Sequence, residues 1–337
     1  MKLQERINAF AQLGSYLNTI VLNPLDEKFQ TVLRTTKANN GWFIEENILH
    51  ALKSWSKALQ KDNLEKWVSN YQIPQDNIPK SIAIIMAGNI PLVGFHDFLS
   101  VLISGNRVLA KLSSNDKILL PFLTSEILKI EARFVDYITF TDEKLENFDA
   151  VIATGSNNTS TYFEYYFSKY PHIIRKNRNS VAVITGDETP EQMEALSEDI
   201  FRYFGLGCRN VSKIYVPEDY NWDHFFNNMF VQKQIINNHK YANNYDYNKA
   251  VYLMSNIKLL DNEFMLLKND NGFSSPISVI FYEIYASNEK LRSQLVSEKE
   301  NIQCVVSLKD IPFGEAQTPQ LWDYADGVDT LSFLIAL

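Results

Sequence analysis

Eight short apolar runs limit what this chain can become: SIAIIMAG at 81–88, RVLAKL at 107–112, DYITFT at 136–141, DAVIATGS at 149–156, SVAVITG at 180–186, SKIYVP at 212–217, ISVIFYE at 277–283 and IQCVVSL at 302–308. Nearly continuous β-branched and aliphatic content over five or six residues predicts strands covered on both faces. The amphipathic stretches between them, such as PEQMEALSEDIFRYFG at 190–205, supply the covering helices, so the expected class is α/β. Residues 1–70 differ. Ile7, Phe10, Leu13 and Leu17, then Ile44, Ile48, Leu52, Trp55 and Leu59, recur at helical spacing and predict a helical opening, which Pro74 and Pro79 end. No internal repeat stands out, and the Asn-rich stretch 237–248 reads as a loop and helix start.

With 337 residues, 45% of them hydrophobic, the chain can bury cores for two domain-sized units. No Gly/Ser linker marks a boundary. The best candidate is near residue 204, giving domains 1–203 and 204–311, with the tail 312–337 either rejoining the first half or pairing with another subunit. The tail ends in LSFLIAL, a strand-like run that needs covering. The 32 Lys and Arg are scattered among 40 acidic residues, for a net charge of −8, which argues against nucleic acid as a partner. No segment reaches the roughly 18 apolar residues of a membrane span, and the N-terminus lacks a signal-peptide core; a cytoplasmic protein is expected. Two cysteines and five dispersed histidines offer neither a disulfide framework nor zinc-ligand spacing.

Four motifs carry possible chemistry. MAGNIPLVGFHDFL at 86–99 places Gly88, Pro91 and Gly94 between a strand and a helix. It reads as a plain strand-to-helix turn or as one offering backbone N–H groups to a ligand, with Asn89 as an amide donor to an oxyanion. SGNRVLAKLSSND at 104–116 ends a strand at Lys111 with Ser113 and Ser114 beyond, either an exposed lysine or an ammonium and two hydroxyls suited to ribose or phosphate. IATGSNNTSTYF at 152–163 ends a strand at Thr154, Gly155 and Ser156, with Thr159 and Ser160 as candidate helix caps; it is a capping turn or a phosphate site. The last is FGLGCRNVSKIYVP at 204–217. Cys208 there is inert packing or a nucleophile; a thiol of ordinary acidity is only about 3% ionised near neutrality, so neighbouring positive charge such as Arg209 would have to help. Cys304, among apolar neighbours, reads as strand core.

In this order, AGNIP, GNRVLAKLSS, ATGS and GLGCRNVSKIYV resemble the aldehyde dehydrogenase superfamily, and within it the acyl-CoA reductases related to the long-chain fatty-acyl reductase of bacterial luminescence, over about residues 40–282. The resemblance implies a Rossmann-type nucleotide-binding domain, a smaller α/β catalytic domain and a helical N-terminus. It further implies a nucleophile at Cys208, an oxyanion amide at Asn89, a ribose contact at Lys111 and a phosphate turn at Gly155 and Ser156, with Gly88, Ser113 and Ser114 beside the cofactor. Three departures matter. The Glu-Leu-Gly-Gly segment of aldehyde-oxidising members is replaced by IIRKNRNSVAVI, which leaves no base for water; the glutamate after the strand-end lysine is Ser114, which favours NADPH while leaving NADH possible; and the Glu-Ile-Phe-Gly-Pro segment shrinks to NGFSSP, 271–276, implying a trimmed catalytic domain.

The expected activity is NADPH-dependent reduction of an acyl-CoA, fatty acyl by resemblance, to the aldehyde through an acyl-enzyme. The alternatives are a phosphorylating semialdehyde dehydrogenase and a degenerate acyl carrier or assembly protein. His96 and, second, His172 are candidate proton carriers, each also readable as surface histidine, and the basic run Arg175–Arg178 either faces solvent or meets phosphates. A homo-oligomer is possible.

Overall fold

The computed structural model describes residues 1–74 and 78–337. Two compact units emerge, Met1–Lys176 with Gln320–Leu337, and Asn177–Pro319. In the first, α1 (Leu3–Leu22), α2 (Glu27–Asn39), α3 (Glu45–Ala58) and α4 (Lys61–Val68) form the helical opening. The stripe Ile7, Phe10, Leu13 and Leu17 is buried as its spacing requires, and so are Ile48, Leu52 and Leu59.

Five strands follow in this unit: β1 (Ser81–Ile85), β2 (Arg107–Lys111), β3 (Ile138–Phe140), β4 (Ala150–Thr154) and β5 (His172–Arg175). They lie in the order β3-β2-β1-β4-β5, every pair parallel. The crossovers carry α5 (Phe95–Ser104), α6 (Leu119–Ile130) and α7 (Asn157–Phe167). Ile82, Ala83 and Ile84 of the central strand are all buried, the two-sided covering that their unbroken apolar run predicts.

The second unit holds β6 (Asn179–Val183), α8 (Pro190–Phe201), β7 (Val211–Pro217), α9 (Trp222–Met229), α10 (His239–Met254), β8 (Leu259–Asp261), β9 (Leu266–Asn269), β10 (Val279–Tyr285), α11 (Asn288–Ser297) and β11 (Ile302–Val306). Its sheet runs β11-β6-β7-β10-β9-β8, with only the β8–β9 pair antiparallel. The division falls at 176/177, not near 204. The run SVAVITG, expected as the last strand of the first sheet, is β6 and bonds to β7 and β11, while the short β5, unmarked by the sequence pattern, closes the first sheet beside β4.

The strand-like tail is a helix, α12 (Thr330–Ile335), so that expectation is corrected. An unbroken apolar run fits either structure, and here the cap decides. Asp329 accepts the Ser332 N–H at 2.8 Å and starts the helix, whose Leu331 and Leu334 are buried in the core of the first unit. The chain thus returns to this unit from Gln320 onward, a shorter return than 312–337.

A buried ion pair ties the tail to the sheet. Arg175, at the end of β5, donates to Asp97 of α5 at 2.7 Å, to Thr330 Oγ1 at 2.8 Å and to the Ala325 carbonyl at 2.7 Å. Removing one member of such a pair strands the other charge. Arg175→Met should therefore destabilise the chain by about 3–5 kcal/mol in urea unfolding, with much of the loss recovered in the double variant Asp97→Asn/Arg175→Met.

Candidate functional sites in the two units

In the first sheet β1 has β2 on one side and β4 on the other, so the chain reverses its direction of winding there. Loops leaving neighbouring strands on opposite faces open a crevice at the carboxyl edge, where α/β sheets bind ligands. Three candidate segments share that edge: the loop after β1 with Gly88 and Asn89, the loop after β2 with Ser113 and Ser114, and the turn after β4 with Gly155 and Ser156.

The first two loops are locked together. A Cβ on Gly88 would lie 2.6 Å from Ser113 Cβ, so the close approach requires glycine. Leu92, buried with φ +59°, gives its N–H to Asp116 Oδ2 at 2.9 Å. Burial raises the Asp116 carboxyl from its ordinary 3.8 to about 6, against the opposing pull of the Leu92 and Leu119 N–H groups. The second loop is anchored in turn by α2 and its end, where Asn39 and Asn40 donate to the carbonyls of Ser114 and Asn115 at 3.1 and 3.3 Å. Asn89 and the Ser114 side are exposed on this frame, and Lys111 is half-buried with its ammonium on the Glu143 carbonyl at 3.0 Å.

At the third segment the helix cap is Ser156, not Thr159 or Ser160. Its Oγ accepts the Thr159 N–H at 3.3 Å and lies 2.9 Å from Thr159 Oγ1. A Cβ on Gly155 would come within 3.0 Å of Phe163 and Thr159, so this glycine lets the turn close on α7.

Cys208 belongs to the second unit, where its loop joins α8 to the amino end of β7. Three successive residues before it are left-handed: Tyr203 (φ +55°), Phe204 (+60°) and Gly205 (+74°). Two aromatic residues in that region are costly, and both side chains are buried, which holds them there. The chain then enters a turn in which the Asn210 N–H bonds the Gly207 carbonyl at 3.0 Å, with Cys208 and Arg209 as its central residues. The Cys208 carbonyl accepts from Ser180 Oγ at 3.0 Å, and Arg209 Nε donates to the Ala316 carbonyl at 2.6 Å. Since the Ser180 proton goes to that carbonyl, Cys304 Sγ, 2.9 Å from Ser180 Oγ, is the donor to it. Cys304 is buried in β11, as expected, whereas Cys208 is half-buried.

The NGFSSP loop, between β9 and β10, is held from β7. Ser212 Oγ donates to the Phe273 carbonyl at 2.6 Å, and the fully buried Lys213 donates to the Asn271 carbonyl at 2.9 Å while pairing with Glu283 at 2.7 Å.

A model of the acyl-CoA reductase (LuxC) family matches residues 16–295. The chain belongs to that family. No curated protein matches it in sequence. Among solved structures, an indole-3-acetaldehyde dehydrogenase with NAD+ aligns at a TM-score of 0.67 and 10% identity, covering 91% of this chain and 72% of that one. Aldehyde dehydrogenase 21 from Physcomitrella patens, with succinate, gives 0.66 and 15% over 92% and 74%. An NADP-dependent enzyme of E. coli gives 0.65 and 13% over 91% and 73%. These likenesses establish the aldehyde dehydrogenase fold, and the resemblance carried by the four sequence motifs is confirmed. As a member of the acyl-CoA reductase (LuxC) family, the chain is an oxidoreductase of aldehyde chemistry.

Other expectations for this LuxC-family chain change. His96 is no proton carrier: its Nε2 lies 2.9 Å from the Leu321 carbonyl, its ring packs on Trp67 and Tyr324, and burial lowers its pKa. His172 sits at the amino end of β5, away from the carboxyl edge, with Nδ1 2.8 Å from the Tyr170 carbonyl. The basic run is spoken for, with Arg175 on Asp97, Lys176 on Glu164 at 2.9 Å and Arg178 on Glu300 at 3.2 Å. Among the described residues no helix is long and apolar enough to cross a membrane, and no cluster of His, Cys, Asp or Glu could hold a metal. Sequence reasoning missed Asp116, Ser180 and Lys213, which hold backbone atoms of Leu92, Cys208 and Asn271 across gaps that no local pattern reveals.

The Asp116 shift has a definite sign. Its folded value lies above its unfolded one, so between about pH 4 and 6 the folded state binds the extra proton and stability falls as pH rises. Relative to wild type, Asp116→Asn should gain about 2 kcal/mol between pH 4 and pH 7 in urea unfolding, since the amide cannot ionise.

Proposed function

We propose that this protein reduces an acyl-CoA thioester, with a fatty acyl group as the preferred class, to the aldehyde at the expense of NADPH. The observation that carries the reading is Cys208, a half-buried thiol at the centre of a turn fixed by Ser180 and Asn210, in a chain whose family is acyl-CoA reductase. The Cys208 thiolate adds to the thioester carbon, the tetrahedral oxyanion collapses, and CoA leaves as its thiolate to give an acyl-enzyme. The Cys208 backbone N–H and the Asn89 amide are the proposed oxyanion donors.

The residues at the carboxyl edge of the first sheet suit a dinucleotide. Glycine-dependent packing at Gly88 and Gly155 keeps the loops compact, the Lys111 ammonium has N–H groups beyond the one given to Glu143, and the neutral Ser114 stands where a glutamate would repel a 2′-phosphate. Bound there, NADPH would supply the hydride that reduces the acyl carbon. Cys208 then leaves as thiolate when the thiohemiacetal oxyanion collapses, releasing aldehyde. No water is activated in the cycle. That agrees with a segment 172–183, HIIRKNRNSVAV, which contains no carboxylate and whose Arg175 is committed to Asp97.

Purified chain incubated with acyl-CoAs of graded length should oxidise NADPH and release CoA thiol and aldehyde in equal amounts. Cys208→Ser should abolish the reaction, and Asn89→Ala should slow acylation about 100- to 1,000-fold while the chain stays folded. An acyl adduct on Cys208 that NADPH does not discharge would point to a carrier, and activity confined to acyl phosphates to a semialdehyde dehydrogenase.

A further inference from the structure

We propose that Asn210 is a positioning residue that aims the Cys208 backbone N–H at the oxyanion; the inference rests on Cys208 being the nucleophile. Asn210 is buried, and it grips Gly207 from both sides. Its own N–H bonds the Gly207 carbonyl at 3.0 Å, and its Oδ1 accepts the Gly207 N–H at 2.8 Å. The Gly207–Cys208 peptide is trans, like every peptide bond described, so its N–H points opposite to its carbonyl. With that carbonyl turned toward Asn210, the Cys208 N–H is turned away from the inside of the turn. A β-turn leaves the N–H of its second residue out of the closing bond, and many turns form without the closing bond at all. Here the Asn210 side chain holds the preceding Leu206–Gly207 peptide by its N–H, so Gly207 is fixed on both sides and the donor direction does not depend on one weak bond.

The other end of the same amide explains its rigidity. Asn210 Nδ2 faces the carbonyls of Asp199, Ile200 and Arg202 at 3.1, 3.3 and 2.8 Å. These belong to the last turn and cap of α8, whose carbonyls have no partner further along the helix. One side chain therefore caps α8, spans the three left-handed residues 203–205 and closes the turn that presents Cys208. A donor held in place before charge develops needs no reorganisation when it does.

The test separates aiming from mere support. Iodoacetamide alkylates a thiolate by displacement and forms no oxyanion, whereas acyl-CoA passes through one. In full-length Asn210→Ala, checked for folding by circular dichroism, Cys208 acylation should fall about ten- to hundredfold while Cys208 alkylation changes less than about threefold. Unchanged acylation, or an equal fall in both reactions, overturns the proposal. If Asn210→Ala does not fold, amide exchange in the wild-type chain decides: Gly207 N–H should be strongly protected, and exchange at the unstructured rate overturns the grip. A wild-type chain that alkylates at Cys208 but is never acylated overturns the functional reading and this inference with it.

Discussion

Parallel strands cannot be joined by a tight hairpin, and each must be followed by a crossover that returns the chain to the starting edge. Most of what this molecule presents follows from that constraint. In the first sheet all strands are parallel, so the loops leaving β1, β2 and β4 must emerge on one edge, and their glycines, serines and Asn89 gather there although they are spread over residues 88–156. In the second sheet β7 is entered from the Cys208 turn at its amino end, and its Ser212 and Lys213 hold the 271–273 loop that leads into β10. In each unit these loops begin where strand hydrogen bonding stops and backbone groups need other partners.

Those partners are buried polar side chains. Asp116 takes a backbone N–H of the Asn89 loop, Lys213 takes a carbonyl of the 271–273 loop, and Asp199 takes the N–H groups of Gly314 and Ala316 at 2.6 and 2.9 Å. Burying a charge is expensive, and the two acids show it: burial lifts Asp116 to about 6 and Asp199 to about 7 despite their hydrogen bonds. An apolar residue would be cheaper to bury at each place. It would not hold a loop, because dispersion has no direction and a hydrogen bond does. The charges are tolerated where the backbone must be aimed.

This division also explains what could be read in advance. Faces and periods are local: eight strands, the helical opening and the stripe from Ile7 to Leu17 follow from apolar spacing alone. The α/β class and the four motifs were legible for the same reason, since each rests on contiguous strings. What escaped was long-range or too short to have a period. β5 is the four residues HIIR, and its Arg175 could be read only as facing solvent or meeting phosphates because Asp97, its partner, lies 78 positions earlier. β8 and β9 are no longer. His96 could be read as a surface histidine or a proton carrier because the Leu321 carbonyl that it meets lies 225 positions away.

The two cysteines show how little residue type says without its backbone. Both are thiols, and both touch the region of Ser180, one through its sulfur and the other through its carbonyl. Cys304 lies within a strand, where the alternation of side chains sends it into the core beside Ala182 and Val306. Cys208 lies in a turn, and a turn residue's side chain is not dictated by a sheet. α8 ends where Arg202 turns extended (φ −52°, ψ 139°), and the left-handed run 203–205 follows; continuation of the helix would have given Cys208 a helical position. The strain of two buried aromatics at positive φ is thus the local condition for the turn that carries Cys208, and it is sustained by a core that the same two side chains fill.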